Sequence, residues 1–381
     1  MENTEHNEHK SAKKRLRWWY IPLSLILGLL LCVVAGWFYF TATPQGKAYL
    51  TFLGNKLVNE HLAYKADIGD LEFQFPPRVL LSNVVIYDHK DSVLFKAEAV
   101  RITPVWPPLQ DSILQIDQVV LSHFNANLKM YQGDSNYNYA YAFKTSKGSK
   151  NKSPIESIRI RKLIFEEGGF NHFDYTRLPF RKKDEAGIDF YRLQTTGITG
   201  VLDSILIGKG VRAHLNNFGF REKSGFWVKS MTSDLAIEKS TFNWQNLELK
   251  SNKGKINGDI LFSFNDWKSW KYFNDSVNIS AALNQTELYF SDIGYFAPQV
   301  EKIANNISVD GKVSGCLNHF VTRQLKIKMG NKSFLIGEGE LKNITDESIY
   351  TGNVIASTFD ESGKFIGNCV GKSTDNFLEP N

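Results

Sequence analysis

The chain has little cysteine, no block of one charge in its body and no catalytic signature, and each absence removes a class of function. Cys32, Cys316 and Cys369 are its only cysteines. The first lies inside an apolar run, and two remaining thiols form neither a disulfide framework nor a zinc motif, so they are read as unpaired. No P-loop, HExxH, zinc quartet or nucleophile elbow occurs. Gly197-Ile198-Thr199-Gly200 and Gly208-Lys209-Gly210 read as turns between strands, since a phosphate cradle needs a helix N-terminus after it. A net charge of +5, with no Lys/Arg cluster beyond residues 1–17, argues against nucleic acid as a partner. His123, His172, His214 and His319 are scattered along strand edges without a metal-type spacing. Glu166-Glu167 and Asp184-Glu185 read as solvated turn charges, and Asp67 and Asp70 lack the further ligands of a calcium loop. No metal, cofactor or catalytic residue is assigned. An enzyme survives only as a site assembled from distant residues.

One long hydrophobic run is present, at 20–40. At 1.5 Å per residue it spans about 30 Å, the thickness of a bilayer core. Tyr20 and Trp37 to Phe40 place aromatic rings at both ends, with Leu25 and Leu30 between them. Lys13, Lys14, Arg15 and Arg17 lie only on the N-terminal side. The positive-inside rule keeps 1–17 as a cytoplasmic basic tail, 18–40 as a single-pass anchor, and sends the body across. A cleaved signal peptide and a buried core helix are the competing readings. The run exceeds the 7–15 apolar residues of a signal sequence, and bulky aromatics precede its small residues.

Residues 41–62 read as a juxtamembrane helix, with Thr43 as N-cap, Pro44 in the first turn and Tyr49, Phe52, Leu53, Leu57 and His61 on one face. That face is expected either to pack on the first strands or to touch the membrane surface. From 63 to 381 the period changes to two. Strands are predicted at 66–73, 79–87 and 93–102 as an antiparallel meander, with a break near Gly69 that suggests a bulge. Two strands are expected within 113–130, a loop at 133–153 and a strand at 155–165. A charged turn at 181–187 follows, then strands at 188–196, 198–207, 210–217, 225–238, 241–249 and 255–264. A helical turn at 267–273 precedes strands at 277–283 and 286–290, and a helix is predicted at 292–303. Strands at 307–315, 324–329, 333–341, 352–359 and 364–370 complete the chain.

The expected fold is mainly β: an elongated, curved antiparallel sheet with few short helices. Two geometries satisfy the alternation, a sandwich hiding the apolar face and an open sheet using it to line a groove. The candidate inward residues are Ile68, Leu71, Phe73, Val84, Ile86, Leu94, Val100 and Ile102.

Three segments resemble a known family. Residues 64–73, 78–87 and 94–102 are similar to the N-terminal hairpins of AsmA-like proteins, where a strand of the "v-i-g-x-l" kind follows an anchor and a short helix. Residues 307–315, 325–328 and 337–344 resemble the TamB group (translocation and assembly module), with "G-x-v-x-G" given by Gly311-Lys312-Val313-Ser314-Gly315. Asn343 stands where a glycine is common, and no C-terminal domain of that group is evident, so the chain is read as its N-terminal portion. Abundant Asn, Lys, Tyr and Phe resemble a Bacteroidetes member. The resemblance implies a bacterial inner-membrane protein with a periplasmic body, whose apolar groove binds or conducts phospholipid between envelope membranes. A structural or assembly role is the alternative: an outer-membrane β-barrel or other envelope protein would pair with an exposed strand along 333–341 or 364–370.

Overall fold

The computed structural model describes residues 28–32, 34–74, 77–141, 155–177, 187–296, 298, 306–329, 333–342, 351–359 and 365–373. Tyr20, Leu25, Lys13, Lys14, Arg15, Arg17 and the turn at 181–186 lie outside them. Helix α1 (Gly28–Ala42) carries Leu30, Trp37 and Phe40, and is followed by α2 (Pro44–His61). No single described helix is long and apolar enough to cross a membrane; α1 and residues 44–60 of α2 pass together, as a pair bent by 81°. Thr43 caps α2 as its position before Pro44 predicts, its hydroxyl accepting from the Gly46 N–H.

The body is one sheet of 16 strands hydrogen-bonded in sequence order. They are β1 (Ala66–Gln74), β2 (Arg78–Tyr87), β3 (Val93–Gln110), β4 (Ile113–Met130), β5 (Ser157–Asp174) and β6 (Arg192–Ile207). Next come β7 (Val211–Glu222), β8 (Trp227–Ile237), β9 (Thr241–Lys250), β10 (Lys255–Ser263) and β11 (Asn278–Tyr289). The last are β12 (Asn306–Cys316), β13 (His319–Met329), β14 (Ser333–Lys342), β15 (Thr351–Phe359) and β16 (Phe365–Ser373). The sheet is curved and does not close on itself. At about 4.8 Å per step, it extends about 70 Å from β1 to β16 along its surface.

Several expectations change. Neighbours pair antiparallel except β4 and β5, which run parallel from Ile113↔Ser157 to Met130↔Asp174. The connection from 131 to 156 is long enough to return the chain to the end where β4 began, which a parallel pair requires. Residues 113–130 are a single strand, and so are 278–289. Gly197 and Gly200 lie inside β6 rather than in a turn, whereas Gly208–Gly210 does turn. Glu166 and Glu167 sit within β5, where Glu166 accepts from Arg101 and Ser122. Of the helix expected at 292–303, the described residues give only the end of the four-residue α4 (Phe290–Ile293) and a 3-10 position at 298; α3 (Phe273–Ser276) is equally short. Cys316 is a free thiol at the end of β12, and Cys369 is four strands away in β16.

The break near Gly69 is a bend shared by five strands. Asn83, His123 and Glu167 have φ of 52°, 47° and 58°, and they fall on one line across the sheet with Gly69 and Glu98. Left-handed residues increase local twist, and short polar side chains tolerate that region best. The motif recurs at Asn246 in β9 and Gln285 in β11, each donating its N–H to an aspartate of the next strand, Asp259 at 2.8 Å and Asp310 at 2.5 Å. At Gly258, with φ of +141°, a Cβ would lie 2.0 Å from the Ala282 carbonyl oxygen, so only glycine fits.

Helix α2 docks on β1 by its polar face, so of the two placements expected for its apolar face the packing on the first strands does not occur: Tyr49, Phe52, Leu53 and Leu57 remain exposed. The Asn55 side chain accepts from the Ile68 N–H at 2.8 Å and donates to the Ile68 C=O at 2.9 Å. Asn59 makes the same pair with Ala66, both at 2.8 Å. Thr51 accepts from the Leu71 N–H at 3.0 Å and Lys47 meets Glu72 at 2.6 Å. Four helical residues advance about 6.0 Å and two strand residues about 6.7 Å. Asn55 and Asn59, four apart on the helix, therefore meet Ile68 and Ala66, two apart on the strand, and each primary amide replaces the peptide group of an absent neighbouring strand; the step to Leu71 is one residue longer because it crosses the bend at Gly69. An Asn55→Ala, Asn59→Ala variant should lose about 2 kcal/mol of local protection. Hydrogen exchange at the Ala66 and Ile68 amides should accelerate about 30-fold while the Val84 amide stays slow; unchanged exchange would show that the ladder does not hold β1.

Candidate functional site

The apolar face of the sheet is the candidate site. Along β1 the inward positions are 66 and 68, then 71 and 73; in β2 they are 86 and 84, then 81 and 79. The phase change at the shared bend keeps them all on one face. Ile68 registers with Val84 and Leu71 with Leu81, which lies opposite Val100. Ile86 lies opposite Phe95, which packs against the core cluster, while Leu94 is the unpaired residue at the irregular step between Ile86 and Tyr87.

Apart from Phe73 and Ile102, the residues that extend this face were not among the groove candidates. One row runs in register through seven strands: Phe73, Val79, Ile102, Val119, Leu163, Leu202 and Leu215. Most are half-buried. Two clusters of buried side chains form on this face, Val84, Ala97, Val100, Phe124 and Ile198, and Leu215, Val228, Met231 and Leu247. The first group spans β2 to β6 and the second β7 to β9 of the same sheet, so the packing is within one sheet. No second sheet faces this surface among the described residues, which excludes the sandwich for them. At Gly168 the Phe124 ring occupies the place of a side chain, its Cε1 2.0 Å from where a Cβ would be.

The opposite face is polar. Arg161 forms a forked contact with Asp117, and His123 lies 3.3 and 3.2 Å from Glu98 and Glu167. His214 meets Asp234 at 2.8 Å and His319 meets Glu340 at 2.6 Å. His172 differs from these: two residues beyond Phe170 it lies on the apolar face, at its border, where the Tyr137 hydroxyl meets it at 2.9 Å. Among the described residues no group of three or more His, Cys, Asp or Glu is arranged to hold a metal.

Two segments border the face along the strand ends near Tyr64. In the first, Asn138 is fully buried within a single 3-10 turn (Asn138–Tyr141). Its amide accepts from the Lys129 N–H at 3.0 Å and donates to the Asn127 C=O at 3.1 Å and to Asp88 at 2.9 Å. Tyr64 donates to its carbonyl at 2.7 Å. This is the edge-capping device of Asn55 repeated on β4. In the second, Ile188 donates its N–H to the Tyr295 carbonyl at 2.7 Å, and Phe296 rings pack on Phe190 and Phe226. That contact joins the start of β6 to the end of β11, along the same border.

Burial pushes the Asp88 carboxyl upward, but hydrogen bonds from Asn138, the Lys90 N–H, Tyr131 and the Ser92 N–H together hold it below the ordinary value of 3.8. Burial, then the Asp88 charge, pushes the Tyr64 hydroxyl up to about 12. A depressed carboxyl contributes stability that is present above its unfolded value and lost as pH falls through the folded one. Acid titration below pH 3.8 should therefore loosen this border. An Asp88→Asn variant should lose that part of the acid transition; an identical acid profile would show that Asp88 does not carry it.

No protein-family model, curated protein or solved structure matches this chain. Fold and site together define a class, a single open curved sheet with one apolar and one polar face.

Proposed function

We propose that the chain is a membrane-anchored envelope protein of the AsmA-like, TamB-type kind, which shelters phospholipid acyl chains against the apolar face of its sheet. The supporting observation is the row from Phe73 to Leu215, unbroken over seven strands and without a covering layer among the described residues. Apolar surface left in water is unfavourable by about 25 cal/mol per Å², and an acyl chain laid along the row gains about 0.8 kcal/mol per shielded CH₂. Six strand spacings make the row about 29 Å long, comparable to an extended acyl chain or more. Headgroups would remain at the open side, in water. No bond is made or broken, so the reading needs no catalytic group.

In this reading 18–40 anchors the chain in a bacterial inner membrane with the body in the periplasm. Among the described strands, β16 is the edge that pairing with another envelope protein, such as an outer-membrane β-barrel, would use. Helix α2 covers the edge of β1, and β14, proposed as an accepting strand from sequence, is paired on both sides. Native mass spectrometry of the full chain, extracted in mild detergent, should find phospholipid bound; protein recovered free of lipid from membranes that contain it would refute the reading.

A further inference from the structure

Helix α1 is exposed around its circumference, with Leu29, Leu30, Leu31, Val34, Trp37 and Phe38 all accessible. A helix apolar on every side belongs in an apolar medium. The chain then turns by 81° into α2. The elbow has a specific lock: Thr43 Oγ1 donates to the Tyr39 carbonyl at 2.6 Å and accepts from the Gly46 N–H at 3.1 Å. A Cβ on Gly46 would stand 2.2 Å from that same carbonyl oxygen, so the close approach requires glycine. Phe40 and Tyr49 rings meet across the bend with centroids 6.0 Å apart.

Helix α2 has committed one side to β1 through Lys47, Thr51, Asn55 and Asn59. Its other side presents Tyr49, Phe52, Leu53 and Leu57, all exposed. Lys56 lies among them, 4.0 Å from Glu60, on a stem long enough to reach a phosphate while its methylenes stay with the apolar residues. A helix turned nearly at right angles to an apolar one, with rings and leucines outward, is suited to the headgroup–acyl boundary.

We propose that α2 lies flat in the surface of the bilayer that α1 enters, with Tyr49, Phe52, Leu53 and Leu57 in lipid and its polar ladder gripping β1. The inference rests on the anchored reading of 18–40. It has a geometric consequence for the groove. Because α2 runs antiparallel alongside β1, the strands lie parallel to the membrane and successive strands stack away from it. The apolar row then rises from the bilayer, and Ile68, Leu71 and Phe73 stand at its foot, where an acyl chain can leave the leaflet without crossing water.

The test uses the full chain in nanodiscs of phosphatidylethanolamine and phosphatidylglycerol, with Cys32, Cys316 and Cys369 changed to serine and an environment-sensitive fluorophore on one introduced cysteine. Leu30→Cys reports the anchor, Phe52→Cys reports α2, and Lys239→Cys, in the β8–β9 turn, reports the distant body. The expected result is that lipids with a nitroxide near the headgroup quench position 52 severalfold more than position 239, while lipids labelled deep in the chain quench position 30 best. Quenching at 30 with none at 52 overturns the flat helix and leaves the anchor standing. Quenching at 52 without 30 supports a surface helix and removes the anchor, and silence at both removes both. A probe at 52 shielded from soluble iodide yet untouched by lipid nitroxides, as under a second protein, also overturns the proposal. Gly46→Leu, which should force the elbow open, is expected to cut quenching at 52 severalfold and to preserve it at 30. Its sheet should melt as the parent does, since Gly46 lies outside it; undiminished quenching at 52 would count against the elbow.

Discussion

Changing Leu163 to glutamate is expected to strip phospholipid from the purified protein while leaving the sheet folded. Leu163 stands in the middle of the apolar row, in register with Val119 on one side and Leu202 on the other. In the empty protein the new carboxylate would face water on the open side, so the sheet tolerates it. Under an acyl chain it would lose that water without gaining a partner, at a cost of about 2 kcal/mol or more. Lipid affinity should then fall by about 30-fold or more. Phosphorus per protein after extraction measures the effect, with the melting curve as the check on folding. Lys162→Gln, one residue away on the polar face, should retain the parent's lipid. Equal lipid in the parent and both variants would remove the acyl-chain reading of this face.

Replacing Asn138 by alanine should be the most destabilising single truncation at the border of the sheet. The amide is fully buried and serves Lys129, Asn127 and Asp88 together. Its loss leaves a strand N–H, a strand C=O and a buried carboxylate oxygen each short of a partner. At about 1–3 kcal/mol for an unsatisfied buried group, a loss of about 3 kcal/mol is expected, allowing for partial rearrangement. The carboxyl of Asp88 should also rise, which moves the acid transition to higher pH. Asn136→Ala, on an exposed residue two positions earlier, should change stability by less than about 0.5 kcal/mol. Denaturant melts of the three proteins decide the matter, and matched midpoints for the parent and Asn138→Ala would show the network to be dispensable.

Much of the architecture was legible because strand and cap signals are local. Alternation placed nearly every strand in the described residues, and the disturbed phase around Gly69 announced the bend. Thr43-Pro44 marked the start of α2 correctly. The errors also have local causes. Gly197 and Gly200 looked like turn residues because a bend inside a strand and a turn between strands both favour glycine. The packing of Tyr49, Phe52, Leu53 and Leu57 on the strands was one of two placements left open, since apolar faces usually turn inward; in α2 the asparagines do the docking, since an open strand edge offers peptide groups rather than apolar surface.

The amino-acid sequence by itself determined that this protein is strand-rich, that a long apolar run precedes its body, and that one face of each strand is apolar. Only the tertiary structure decided that the phase breaks of five strands fall on one line, that β4 and β5 run parallel, and that the apolar face meets no second sheet among the described residues. The reason is the range of the interactions. Alternation and capping are set by neighbours a few residues apart, whereas register, curvature and the presence of a covering layer depend on which distant segments meet.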